Sequence, residues 1–258
     1  MQAIYDWPIW IPVLLIFLLS LGASELGFRY GRSHQVPESE RAIVSTLRTS
    51  TIGLVALLLG FSFVITSGRF NDRSRLVNDE ANAIGTCYLR AGLLAEPANS
   101  QIRTALRRYT DFRLASFERG IDPREFEQLA DSMHATLAVL WAGVTQAVGA
   151  DRQLVIASQI VPAANEVIDL SATREWIRRF HMPPSVVWLL AMSIVLCGAM
   201  TGHALGEAGP RHLGLMLGFN LLIAMVAFVV LDFDRPRRGL IQVDQAPLIQ
   251  VRESMRSS

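Results

Sequence analysis

Not one of the chain's 24 basic residues is a lysine; every one is an arginine. No physical requirement explains this, and it reads as the nucleotide bias of a GC-rich genome. Cysteine is nearly absent too, and Cys87 and Cys197 fall in an amphipathic stretch and an apolar run. That placement excludes a disulfide framework and a cysteine-rich zinc cluster, and leaves both as small apolar packers. The five histidines are scattered: His203 and His212 flank a turn, and His181 precedes a proline pair. None has metal-ligand spacing, so neither a metal nor a cofactor is expected. HExxH, GxSxG and glycine-rich phosphate loops are missing, so an enzyme is not expected. A net charge of +1 leaves no basic surplus to draw nucleic acid.

What the chain has is apolar sequence gathered into blocks. Residues 7–24 are uncharged between Asp6 and Glu25, with Trp7 and Trp10 placed as interfacial aromatics. No arginine precedes them and no cleavage site follows a short apolar core, so they are expected to be an anchor and not a signal peptide. Residues 49–68 are uncharged between Arg48 and Arg69; as a helix they span roughly 30 Å, the thickness of a bilayer's hydrocarbon. Pro183-Pro184 opens a third run over 185–204, and a tight turn leads to a fourth over 213–231, ended by Asp232, Asp234 and Arg235-Pro236. None of the four carries an ionisable group at mid-span, and none is broken in a way that recurs in two halves, which disfavours a secondary transporter. Ser193, Gly198, Gly202, Gly214 and Gly218 suit close packing between spans.

The stretch 71–182 has no span and no β-type alternation. Val77, Ala81, Ile84, Tyr88 and Ala91 continue the second span as one apolar helical face, until Pro97. Further helices are expected over about 100–118, from Asp122-Pro123 to Gly149, and from about Asp151 to Phe180 with a kink at Pro162. The expected fold is therefore an all-α membrane protein: four transmembrane helices, with a cytoplasmic antiparallel helical bundle inserted between the second and third. Its segments are a membrane hairpin (1–70), the helical domain (71–182), a second hairpin (183–232) and an extended or loosely docked tail (233–258).

Arginines near the span ends orient it. Arg69, Arg73, Arg75, Arg174, Arg178, Arg179, Arg235, Arg237 and Arg238 fall on one side, and Arg29, Arg32, Arg41, Arg48 and Arg211 on the other. Nine against five places the helical domain and both termini in the cytoplasm.

The second span carries the best candidate for function. It runs without proline into RFNDRSRLVNDEANAIG, and Gly53, Leu57 and Phe61 recur every four residues on one stripe. LLLGF, then Arg69 and Phe70, then LVNDEANAIG, resembles the second helix of the bestrophin channels, where LGF is followed at this spacing by Arg and a pair of Trp. The run DFDRPRRGLIQVDQAPLI is similar to the ending of a bacterial membrane family labelled bestrophin-like.

That resemblance implies a homo-oligomer, a pentamer as in bestrophins, in the bacterial inner membrane among membrane lipid. Small inorganic ions would pass through a pore lined by the second helix. Carried over by spacing, the hydrophobic neck is Phe61, Leu57 and Gly53. Gly53 stands where the family favours a bulky side chain, so the neck is wider there or shifted toward Val64 and Ile65. The rim charges would come from Arg69, Asp72, Arg73, Asp79 and Glu80, an acidic pair at the end being expected on a solvated face. Which of them face an axis is open at this point. No acidic calcium clasp is present, so calcium gating does not carry over. A non-conducting scaffold or sensor and, more weakly, a small-solute transporter stand as rival readings.

Overall fold

The computed structural model describes residues 7–34, 36–119, 122–150, 155–180, 182–235 and 239–257. Among them lie eight helices and no strand: α1 (Trp10–Ser33), α2 (Glu38–Ala91), α3 (Ala98–Arg119), α4 (Pro123–Ala150), α5 (Val155–Arg179), α6 (Pro184–Ala208), α7 (Leu213–Phe233) and α8 (Ala246–Ser257). The all-α expectation holds. Four helices, α1, α2, α6 and α7, are long and apolar enough to cross a membrane. Pro162 sits inside an uninterrupted α5. The expected helix start near Asp151, together with His181, Pro236, Arg237 and Arg238, lies outside the described residues.

The chain divides into two compact units, 1–70 with 181–241 and 71–180 with 242–258. Helix α2, 54 residues long, contributes to both.

In the first unit the apolar centre is formed by Ile9, Ile16, Val55, Leu59, Leu190, Ile194, Val230 and Leu231. Lipid tails are as apolar as leucine, so burial alone does not drive such helices together; close approach and hydrogen bonds must. Gly27 and Gly31 of α1 and Gly198, Gly202 and Gly206 of α6 supply the approach, for a Cβ at any of them would run into the other helix's backbone. Asn220, Ser20 and Ser24 supply the bonds. All three are buried; Ser20 Oγ donates to Asn220 Oδ1 at 2.5 Å, Asn220 Nδ2 to Ser24 Oγ at 3.0 Å, and Ser24 Oγ to the Gly198 carbonyl at 2.9 Å. Asn220 was not singled out in the sequence, although a lone amide in an apolar run is the signal that could have found it. Gly214 and Gly218 face open space and half-buried Ser193 donates to the Leu189 carbonyl of its own helix at 2.7 Å, so the small-residue expectation holds at Gly198 and Gly202.

This seam is testable. Gly202→Leu drives a side chain into the Ser24 carbonyl and is expected to cost at least about 1–3 kcal/mol, read as a lower melting temperature in detergent. Gly22→Leu, on α1 with nothing near its Cβ, is expected to leave it unchanged.

The second unit is a helical bundle around an apolar core, with Ile84, Ile102, Leu106, Leu140, Val144, Ile160 and Val167 fully buried. One expectation fails here. The last residues do not form a loose tail: α8 packs within the unit, with Leu248 and Met255 buried. Leu248, Val251 and Met255 share one helical face, Gly85 leaves room for Val251, and Tyr88 Oη donates to the Met255 carbonyl at 3.0 Å. Asp244 Oδ1 accepts from the Ala246 amide at 2.8 Å and Pro247 sits in the first turn. Asp244 followed by Pro247 is a helix-start signal legible in the sequence, set in an otherwise polar stretch.

Candidate functional site

Within its apolar half, α2 has two unlike faces. Val55, Leu59, Ser62 and Thr66 are buried, and the two hydroxyls are satisfied on their own helix, Ser62 Oγ by the Leu58 carbonyl at 2.8 Å and Thr66 Oγ1 by the Ser62 carbonyl at 2.9 Å. Half a turn away, Gly53, Leu57, Gly60, Phe61, Val64 and Gly68 are exposed, with Ile65 on the flank. Leu57 and Phe61 keep 52% and 59% of their surface uncovered, so neither is sealed inside the chain. The neighbouring aromatics behave differently: Phe63 and Phe70 both pack on Phe233 of α7, with ring centroids 5.8 and 5.3 Å apart.

The charges that follow divide between the same two faces. Asp72, Arg75 and Asp79 are exposed, and Asn82, Thr86 and Leu89 continue that line. Arg69 is drawn aside toward Asp234, 3.7 Å away, and is one-third exposed. Two of the expected rim residues are corrected. Arg73 is buried, its Nη2 donating to the Phe180 carbonyl at 2.7 Å. Glu80 is fully buried, so the acidic pair Asp79-Glu80 is not a solvated one. Its carboxylate accepts from Arg113 Nε at 3.0 Å, from Arg174 and from the Tyr109 hydroxyl. Burial alone would push the Glu80 carboxyl up, but the guanidinium groups of Arg113 and Arg174 outweigh it and hold the group below the ordinary glutamate range. Burial in turn raises Tyr109, which stays protonated as a donor. Cys87, also fully buried, has its thiol pushed up to about 12 by burial, which makes it inert.

The terminal DFDR run also acquires a role the sequence reading left blank. Asp232, Asp234 and Arg235 are all buried. Asp232 accepts from the Leu240 and Ile241 amides at 2.9 and 2.8 Å, Asp234 accepts from the Met182 amide at 2.8 Å, and Arg235 donates to the Trp7 carbonyl. With Arg69 on Asp234, this cluster fastens the chain around the end of α7 beside α2. Among the described residues no group of three or more His, Cys, Asp or Glu side chains could hold a metal ion.

The sequence pattern of the bestrophin-like domain matches residues 14–248. The chain belongs to the bestrophin-like family. No curated protein matches it significantly. Solved structures do. A bacterial bestrophin homolog from Klebsiella pneumoniae is 15% identical, with 96% of this chain and 97% of that one covered and a TM-score of 0.65. A single-residue variant of a bestrophin homolog from the same organism gives 12% identity, 97% and 98% coverage and a TM-score of 0.72. A variant described only as a membrane protein gives 14%, 100% and 98%, and 0.70. At such identities the likeness shows the bestrophin fold across nearly the whole chain.

Proposed function

We propose that this bestrophin-like protein is a homo-oligomeric ion channel, pentameric as the family resemblance implies, that passes small inorganic ions passively along α2. One observation carries the reading: the α2 face through Gly53, Leu57, Phe61 and Val64 is uncovered by its own chain and passes without a break into the line Asp72, Arg75, Asp79. A single helix encloses nothing, but copies arranged on a rotation axis turn such a face into a conduit. Its apolar part is then a hydrophobic constriction of the kind that gates by dewetting, and its polar part a water-filled vestibule. The buried face of Val55, Leu59, Ser62 and Thr66 holds each copy of the helix to its own subunit. In this arrangement the polar unit and both termini lie in the cytoplasm and the channel in a bacterial inner membrane, in keeping with the arginine distribution.

Subunit count by native mass spectrometry, with currents in planar bilayers, tests it. A ring of identical subunits that gives unitary currents is the expected outcome. A monomer ends the proposal, and an intact but silent ring turns it toward a scaffold.

The face also suggests a polarity. Two acids and one arginine leave each subunit with an excess negative charge along the vestibule, which favours cations there. Asp79→Arg is expected to move the reversal potential in a salt gradient toward that of anions. The same substitution at buried Glu80 is not equivalent, because it breaks the fold.

A further inference from the structure

The α1–α6 seam has a consequence outside the pore. It draws those two helices together while the first turns of α2 stand off: of residues 38–50 only Val44 and Arg48 are even half-buried. Between them opens an apolar groove of about 580 Å³, walled by Leu26 and Tyr30 of α1, Val44 and Leu47 of α2, and Met200 and His203 of α6. Beside it lies a second cavity of about 330 Å³, polar, reached by Arg41, Ser45, Arg48 and Glu207. The two share Val44 and Arg48, so a molecule occupying both needs an apolar tail joined to a polar head.

The sign of the head follows from the arginines. Arg48 Nη2 is committed to Glu207 Oε2 at 2.6 Å and lies 3.2 Å from His203 Nδ1. That pair is neutral. Arg41 donates its Nε to the Val36 carbonyl at 3.3 Å and has no carboxylate partner among the described residues. One positive charge is therefore left over at the mouth of the polar cavity. Guanidinium groups bind phosphate through paired N–H donors, and basic pockets between membrane helices take anionic headgroups. An open apolar groove within a membrane-spanning unit is filled by acyl chain, since an empty one would forfeit its contacts.

We infer that the groove between α1, α2 and α6 holds one anionic glycerophospholipid, an acyl chain between Leu26 and Met200 and its phosphate at Arg41 and Arg48. The site is independent of the pore. Bound lipid would wedge the standing-off start of α2 against α1 and α6, at the end of the helix where packing is thinnest.

The test is native mass spectrometry of the full-length oligomer, titrated with phosphatidylglycerol and with phosphatidylcholine of matched chains. Phosphatidylglycerol is expected to bind about five-fold more tightly, the discrimination one unneutralised arginine supplies. Arg41→Gln, an exposed position, should abolish the preference while both lipids still bind. Val44→Trp should weaken both lipids by filling the groove; if it misfolds, Leu26→Trp, from the α1 side, reads the same quantity. Three results overturn the inference: equal binding of the two lipids, a preference untouched by Arg41→Gln, or displacement of phosphatidylglycerol by millimolar inorganic phosphate. A cross-link between cysteines placed at Val44 of neighbouring copies overturns it too, since a second copy would then be the occupant.

Discussion

Leu57→Ala and Phe61→Ala are each expected to raise unitary conductance several-fold and to lengthen openings. At these positions α2 presents leucine and phenylalanine with about half their surface uncovered by their own chain. Repeated around an axis they make a narrow apolar ring, and water leaves such a ring because its walls offer no hydrogen bonds. An ion without water has no path. Truncation to alanine widens the ring and weakens its dewetting at once, so the two effects add. Gly53→Leu works in the opposite direction, by adding apolar bulk to the exposed face at that level. Val55→Ala and Leu59→Ala supply the contrast: they lie on the buried face and are expected to lower stability with little change in open-channel conductance. If truncating the buried face changed conductance and truncating the exposed face did not, the helix would be turned the other way and the pore proposal would fail.

Glu80→Ala is expected to destabilise the second unit by about 3–5 kcal/mol, among the largest effects of any single substitution in the chain. Without the carboxylate, buried Arg113 and half-buried Arg174 face each other with no anion between them and Tyr109 loses its acceptor. The cost is the desolvation of two cations that no longer have an anion, not merely the loss of a pair. Chemical denaturation followed by far-UV circular dichroism measures it. Asp79→Ala, one residue earlier and exposed, is expected to change stability by less than about 0.5 kcal/mol.

The same cluster sets an acid response. The folded-state value of Glu80 lies below its unfolded value, so its contribution is fully present above the ordinary carboxylate range, about pH 4.3. It is lost only as pH falls below that, through the depressed folded-state value. Stability of the unit should therefore be flat from neutral pH to about pH 5 as far as Glu80 is concerned. Wild type should then lose stability steeply on further acidification, and Glu80→Gln should show a shallower loss. A wild-type decline already complete by pH 5 would contradict this.

Linear information stops at the choice between helix faces. The four apolar runs, the all-helical character and the passage of α2 through residue 68 without a break follow from run length and period, both properties of consecutive residues. The sidedness of α2 was half legible. Gly53, Leu57 and Phe61 form one stripe at helical spacing, but the residues opposite, Val55, Leu59, Ser62 and Thr66, are no more apolar, so composition does not tell which stripe is covered. The terminal helix was missed because its buried face rests on only Leu248, Val251 and Met255, set among polar residues.

The sequence by itself determined that this protein crosses a membrane with helices, because no other element satisfies its own backbone over a bilayer's width, and a twenty-residue uncharged run needs no partner to be recognised. Only the tertiary structure decided which charges are inside. Asp79 and Glu80 are neighbours of the same type, yet one meets solvent and the other meets Arg113 and Arg174, 33 and 94 residues away. A buried charge is stable only when distant residues bring it opposite charge and hydrogen bonds. That meeting is a property of the fold and not of any stretch of chain.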